Sequence, residues 1–143
     1  MSAAFVLGNG VSRLAVDLTV LKQRGTVYGC NALYREFVPN VLISTDKGIA
    51  HTIQHTGYAR EHVMYTRKPL PGLGARSVPQ SYFGFSSGPI AVGIAAMDKH
   101  LAVYLIGFDM GPTYKPESQA RFHYHFSVIF VSQPLRLACS QSE

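Results

Sequence analysis

The sequence has no tryptophan, only two cysteines in 143 residues, and no long apolar run. Cys30 and Cys139 have neither the spacing of metal ligands nor the number that a disulfide framework needs, so the pattern argues against a cystine-stapled secreted domain. No run of about 18 apolar residues occurs, and no basic segment precedes an apolar one near the N-terminus. We therefore expect neither a membrane span nor a signal peptide, and a cytoplasmic protein.

Charged residues are also few, at 15%, with 13 Lys and Arg against 8 Asp and Glu and a formal net charge of +5. The basic balance favours an anionic ligand, but basic residues never cluster beyond the pair Arg67-Lys68, so we expect no nucleic-acid partner. The 47% apolar content is enough for a core. We interpret residues 1–143 as a single domain, with a loosely specified part at 110–143.

The apolar run 3–7 leads into Gly8-Asn9-Gly10, which we call the glycine corner, and then into a helical pattern. Such a run fits a central parallel strand. Gly8 and Gly10 permit positive φ and the close approach of another group, and Ser12 can cap the next helix. Free N–H groups at a corner of this kind favour a phosphate. The same pattern also occurs as a tight connection without a ligand, so both interpretations stay open.

Apolar runs alternate with helical stripes along the chain. Strands are predicted at 3–7, 26–30, 41–45, 61–66 and 102–107, and helices at 11–24, 49–59 and from Ser86-Ser87 to Lys99-His100. Residues 67–80 are rich in proline and glycine and predict a long loop. This alternation predicts a single Rossmann-like α/β domain with a mostly parallel sheet and helices on both faces.

Polar side chains stand where the predicted strands end: Asn9, Asn31, Asp46 and Asp109. In an open α/β sheet, ligands bind outside the carboxyl ends of the strands. We therefore expect these four residues, and Ser87 at the start of a helix, to converge on one cleft. A cap for the turn after its strand is the alternative role for Asn31.

No metal or other resident cofactor is expected. His51 and His55 lie one turn apart on a predicted helix, but no third ligand accompanies them, so we interpret them as part of a solvated helix face. The sequence also has no Asp-x-Asp pair of the kind that holds a metal ion.

The C-terminal part is rich in aromatic residues. Phe122, Tyr124, Phe126 and Phe130 alternate, which leaves one face exposed unless the sheet or a neighbour covers it. We therefore expect a homo-oligomer.

Four short motifs occur together in a recognisable order and spacing. They are Gly8-Asn9-Gly10 with Ser12, Cys30-Asn31 with Tyr34, Ser87-Gly88 opening an alanine-rich helix, and Tyr104-Leu105-Ile106-Gly107-Phe108-Asp109. Over residues 3–110 this arrangement resembles the small bacterial sialyltransferases that use CMP-sialic acid, glycosyltransferase family 42. Short phage-encoded Rossmann-like proteins resemble the chain in lacking an acceptor domain.

The resemblance implies a nucleotide-sugar site, with the nucleotide as substrate. Together with the strand-end positions it gives this candidate binding set: Gly8, Asn9, Gly10, Ser12, Asn31, Asp46, Ser86, Ser87, Gly88 and Asp109. By position Tyr114 matches a tyrosine that binds the leaving phosphate. His123 and His125 are the candidates for the histidine that deprotonates the acceptor. A packed position in an aromatic strand is the alternative for both histidines.

The function that follows is a glycosyltransferase-like domain that binds a CMP-sugar and transfers the sugar to a glycan or other hydroxyl acceptor. Hydroxyls and backbone amides would stabilise the leaving phosphate. The alternative is a non-catalytic nucleotide-binding or assembly module, of phage origin, without the acceptor-binding region. Magnesium-dependent diphosphate transfer has less support, because Asp46 and Asp109 are the only strand-end carboxylates.

Overall fold

The computed structural model describes residues 2–109, which form one sheet of six parallel strands. The strands lie in the order β5-β4-β3-β2-β1-β6, so the chain extends the sheet in one direction and then returns to the other side of β1. Their bounds are β1 (Ala3–Leu7), β2 (Thr26–Cys30), β3 (Val41–Ile43), β4 (Val63–Thr66), β5 (Arg76–Ser77) and β6 (Ala102–Ile106). The predicted parallel α/β fold is confirmed.

Helices cover both faces of the sheet, as predicted. They are α1 (Leu18–Arg24), α2 (Lys47–His55), α3 (Tyr58–Glu61) and α4 (Ser87–Met97), with short 3-10 helices at Val11–Ala15, Asn31–Arg35 and Gln80–Tyr82. The apolar residues of α4 share one core cluster with β1, β2, β3 and β6. Residues of α1, α2 and α3 pack with the other side of the strands in two further clusters.

Strand β1 shows why its sequence is apolar throughout. Val6 belongs to the cluster with α4, and Leu7 belongs to a cluster with Leu21 of α1. Successive side chains of a strand point to opposite faces, and both faces of this sheet are covered. Val6 and Leu7 are accordingly both fully buried.

The first helix differs from the prediction of one helix capped by Ser12. A 3-10 helix, Val11–Ala15, is followed by extended backbone at Val16 and then by α1. The cap of α1 is Asp17, whose carboxylate accepts the N–H of Thr19 at 2.9 Å. Ser12 is not a cap because its hydroxyl donates to Asp109 instead.

Other segments also differ from the prediction. The predicted strands 41–45 and 61–66 are shorter, as β3 and β4, and α4 ends at Met97 rather than at Lys99-His100. The predicted helix 49–59 begins earlier, at Lys47, and is divided into α2 and α3 at Gly57, whose φ is 82°. The predicted loop 67–80 contains the two-residue strand β5, which pairs with β4 at the edge of the sheet. Val78 anchors β5, because it is buried and its N–H donates to Thr66 O at 2.9 Å.

Candidate functional site

The parallel strands bring all their carboxyl ends to one edge of the sheet, which we call the carboxyl edge. The strand order reverses between β1 and β6, and the glycine corner and the segment Gly107-Phe108-Asp109 follow these two strands. Open α/β sheets bind ligands at such a reversal. The carboxyl edge therefore holds the predicted strand-end residues.

The glycine corner packs directly against the chain that follows β6. The N–H of Gly8 donates to Ile106 O, and that of Gly10 donates to Gly107 O, both at 2.8 Å. A Cβ atom at Gly8 would lie 3.0 Å from the Gly107 carbonyl carbon and closer still to its oxygen. The predicted close approach is therefore present. The predicted use of positive φ is wrong, because among these residues only Gly107 has one, at 77°.

Asp109 fills the position at the glycine corner where an anion was expected. Its carboxylate accepts the N–H of Ser12 at 2.9 Å and the hydroxyl of Ser12 at 2.5 Å. The N–H of Arg13 donates to Gly10 O at 3.2 Å. The amides of Gly8, Gly10, Ser12 and Arg13 are thus bonded within the chain, which favours the interpretation of the corner as a tight connection.

The side chain of Asn9 is hydrogen-bonded to the guanidinium of Arg13. Its Oδ1 accepts from Arg13 Nη1 at 3.2 Å. The guanidinium of Arg13 also pairs with Glu36 at 3.3 Å. Asn9 therefore helps to hold Arg13 beside the corner.

Asn31 stands at the centre of a second group of polar residues. Its Oδ1 accepts hydrogen bonds from Ser44 Oγ at 3.2 Å and from Ser87 Oγ at 3.1 Å. Ser87 Oγ in turn accepts the N–H of Thr45 at 3.1 Å. We call Asn31, Ser44, Thr45 and Ser87 the Asn31 cluster. It joins β2, β3 and the start of α4, and Ser44, Thr45 and Ser87 are buried.

The backbone of Asn31 is in the left-handed region, with φ at 49°. Non-glycine residues adopt this conformation rarely and at a cost, although asparagine tolerates it best, and such residues are frequent at functional sites. Its side chain bonds to Ser44 and Ser87 and not to the turn that follows. The alternative role of Asn31 as a turn cap is therefore wrong. Within residues 2–109 its Nδ2 group makes no hydrogen bond, so half-buried Asn31 carries two unused donors at the carboxyl edge.

Asp46 has a local role in addition to its strand-end position. Its Oδ1 accepts the N–H groups of Gly48 at 3.1 Å and Ile49 at 3.3 Å, which caps α2. Ser86 occupies the corresponding position before α4 but makes no capping hydrogen bond through its side chain. Both residues are exposed.

Phe108 connects the glycine corner with the start of α4. A Cβ atom at Gly8 would lie 3.2 Å from one edge of the Phe108 ring, and a Cβ atom at Gly88 would lie 2.9 Å from the other. Both glycines are thus needed for packing against this ring. The binding set lies along one edge of the sheet. Most of it falls into two hydrogen-bonded groups, around Asp109 and around Asn31, but Asp46 and Ser86 belong to neither group.

Cys30, in the motif Cys30-Asn31, is a packing residue. It is 2% exposed and belongs to the core cluster under α4. Burial raises the pKa of its thiol to about 12. A neutral, buried thiol is not a nucleophile.

Beside the Asn31 cluster lies a cleft of about 280 Å³ between α2 and the chain after β4. Arg67 enters its wall directly after β4, and its guanidinium donates to Thr45 O at 3.3 Å and to Phe85 O. The sequence shows Arg67-Lys68 as its only basic pair but gives no sign of a cleft. The lining residues are Thr45, Lys47, Ala50, His51, Gln54, Thr66, Arg67, Lys68 and Leu70.

Comparison with protein-family models, with curated proteins and with solved structures finds no match to this chain. The resemblance to the family-42 sialyltransferases therefore stays a prediction, and it rests on the four sequence motifs alone.

Tyr114, His123 and His125 lie outside the described residues, as do the four aromatic residues on which self-association depends. Among residues 2–109 no helix has the length and apolar character to cross a membrane. In the same range, no three side chains of the metal-binding types come together. His51 and His55 are both exposed, with their Nε2 atoms 3.2 Å apart, as the interpretation of a solvated helix face predicts.

Proposed function

We propose that this protein binds a nucleotide-sugar of the CMP-sugar class at the carboxyl edge and transfers the sugar to a hydroxyl acceptor. The observation that carries the proposal is the state of Asn31. Its backbone is left-handed, its carbonyl oxygen is held by two buried hydroxyls, and its Nδ2 donors are unused within the described residues. A strained residue with donors left over is typical of a binding position.

A cytosine ring offers adjacent acceptors at O2 and N3, and a ribose offers hydroxyl oxygens. The amide of Asn31 is a donor toward such a ligand, because its oxygen is already occupied. Its orientation is set before the ligand arrives, since Ser44 and Ser87 hold the amide from two elements. Preorganisation of this kind reduces the entropy lost on binding.

The residues proposed for the transfer step are those identified through the resemblance to the sialyltransferases. A histidine, His123 or His125, takes the proton of the acceptor hydroxyl as the acceptor oxygen bonds to the sugar carbon. The bond from that carbon to the phosphate oxygen breaks, and CMP leaves with the electron pair. Tyr114 donates a hydrogen bond to the leaving phosphate.

Calorimetric titration with CMP-, UDP- and GDP-sugars tests the binding step. We expect saturable binding that is strongest for the CMP-sugar. His123→Ala should leave this affinity unchanged and slow transfer, because a base that touches only the acceptor contributes nothing to nucleotide binding. Absence of saturable binding for all three classes would refute the proposal. Binding without transfer would retain the nucleotide site and favour the non-catalytic module.

A further inference from the structure

The cleft between α2 and the chain after β4 combines carbon walls with positive charge. Ala50 of α2 and Leu70 line it, together with the basic residues Lys47, Arg67 and Lys68. Gln54 secures this wall, because its Nε2 donates to Ala50 O and Lys68 O at 3.3 Å and its Oε1 accepts the N–H of Leu70 at 2.7 Å. The cleft is thus a built feature and not a gap between loose loops.

The cations of the cleft have no anionic partner in the described part of the chain. The single ion pair within residues 2–109 is Arg13 with Glu36. Arg67 bonds only to backbone carbonyls, and Lys47 and Lys68 are exposed at the rim. The neighbouring carboxylate, Asp46, is engaged with the first amides of α2. The cleft therefore carries uncompensated positive charge.

One polar group at the cleft is also unpartnered within residues 2–109. It belongs to Arg67, which follows the buried Thr66 in the wall of the cleft. The Nε of Arg67 is buried and has no partner in the same range. Buried polar groups nearly always have a hydrogen-bond partner. The unpartnered Nε, together with the unpaired cations of the same cleft, points to an anionic ligand that accepts hydrogen bonds.

We propose that this cleft binds the phosphoryl group of a small phosphate ester. The phosphoryl oxygens accept from the Arg67 guanidinium, the Thr66 hydroxyl and the Lys68 ammonium, which are the donor types that suit phosphate. The carbon walls take the body of the ester, and a volume of about 280 Å³ matches a ring-sized group. The site goes beyond the proposed function, because it does not use the Nδ2 donors of Asn31.

Phenyl phosphate is the probe, with inorganic phosphate as the comparison that lacks the ring. Calorimetry should show saturable binding of both, tighter for phenyl phosphate. Lys68→Gln and Thr66→Val should each weaken phenyl phosphate about 3- to 10-fold, and Arg67→Gln about 10-fold or more, because charge-assisted bonds are the stronger ones. The matched control is Arg24→Gln, which removes the same charge from an exposed position on α1 and should have no effect.

Arg67 also bonds to two carbonyls, so Arg67→Gln is informative only if it folds; Lys68→Gln and Thr66→Val supply the test in either case. The proposal is overturned if the wild-type protein shows no saturable binding, if Arg24→Gln weakens binding as much as Lys68→Gln, or if Asn31→Ala abolishes it.

Discussion

Gly8→Ala tests how the glycine corner is packed. The added methyl group would lie 3.0 Å from the Gly107 carbonyl carbon, closer to its oxygen, and 3.2 Å from the Phe108 ring. Ordinary carbon contacts are about 3.5 to 4.0 Å, so β1 and the chain after β6 must separate. Gly107 presents backbone atoms, which cannot rotate aside as a side chain does. The hydrogen bond from Gly8 N–H to Ile106 O, 2.8 Å long, lies in the same region and is stretched too.

The expected cost follows from two opposing effects. Overpacking of a well-packed site costs about 1–3 kcal/mol. Replacing glycine by alanine restricts the unfolded chain, which raises the free energy of unfolding by about 0.4–1 kcal/mol. The net loss in free energy of unfolding is therefore about 1–2 kcal/mol, which lowers the melting temperature by roughly 3–10 °C for a chain of this size.

Gly84→Ala is the matched control. Gly84 is exposed, has no left-handed φ, and a Cβ atom there would meet nothing within 4 Å. We expect its melting temperature to be unchanged or slightly raised. Both variants are measured by thermal and urea unfolding followed by circular dichroism. Equal stability of Gly8→Ala and the wild-type protein would show that the corner does not pack on β6 as described.

Three further outcomes are expected. Tyr28→Phe should lower the free energy of unfolding in urea by about 1–3 kcal/mol, because the buried Tyr28 hydroxyl donates to Asp98 at 2.6 Å and lies 2.7 Å from His100 Nε2; an unchanged urea midpoint would contradict this. Burial raises the pKa of the Cys30 thiol from 9.0 to about 12. Burial of the neutral thiol therefore contributes fully to the free energy of unfolding below the ordinary pKa, and this contribution is lost as the pH rises from the ordinary pKa toward the raised one. Cys30→Ala should accordingly reduce the fall in melting temperature over this alkaline range. Asp46→Ala should cost about 1 kcal/mol by uncapping α2 and speed amide exchange at Gly48 and Ile49, whereas equal exchange would exclude the cap.

The sheet was predictable because its signal is local. Apolar, β-branched and aromatic runs buried on both faces specify parallel strands wherever they occur, and the bounds of β1 and β2 follow from such runs. The two-residue strand β5 carries no such pattern. It depends on Val78 reaching the core and on pairing with Thr66, and neither is visible from Arg76 and Ser77 themselves.

The site was predictable only in part because its contacts join distant residues. The sequence placed Asn31 and Ser87 at the right edge, but the bond between them spans 56 positions and follows from how α4 crosses the sheet. Ser12 has the residue type of a helix cap, and only the arrival of Asp109, 97 positions later, diverts its hydroxyl. Arg67 gave no sign of its role because its partners are backbone carbonyls of other segments, which no side-chain pattern encodes.

The most direct test of the proposed nucleotide site is the NMR signal of the Asn31 side-chain Nδ2 group during titration with CMP, assigned by its loss in Asn31→Asp. We predict a saturable shift of this pair of resonances, and no shift of the side-chain amide of Gln23, which is exposed on α1. Asn31→Ala should then bind CMP about 5- to 100-fold more weakly than the wild-type protein, as expected for a lost hydrogen-bonding partner. Saturable CMP binding that leaves the Asn31 resonances unmoved, or no binding at all, would contradict the account.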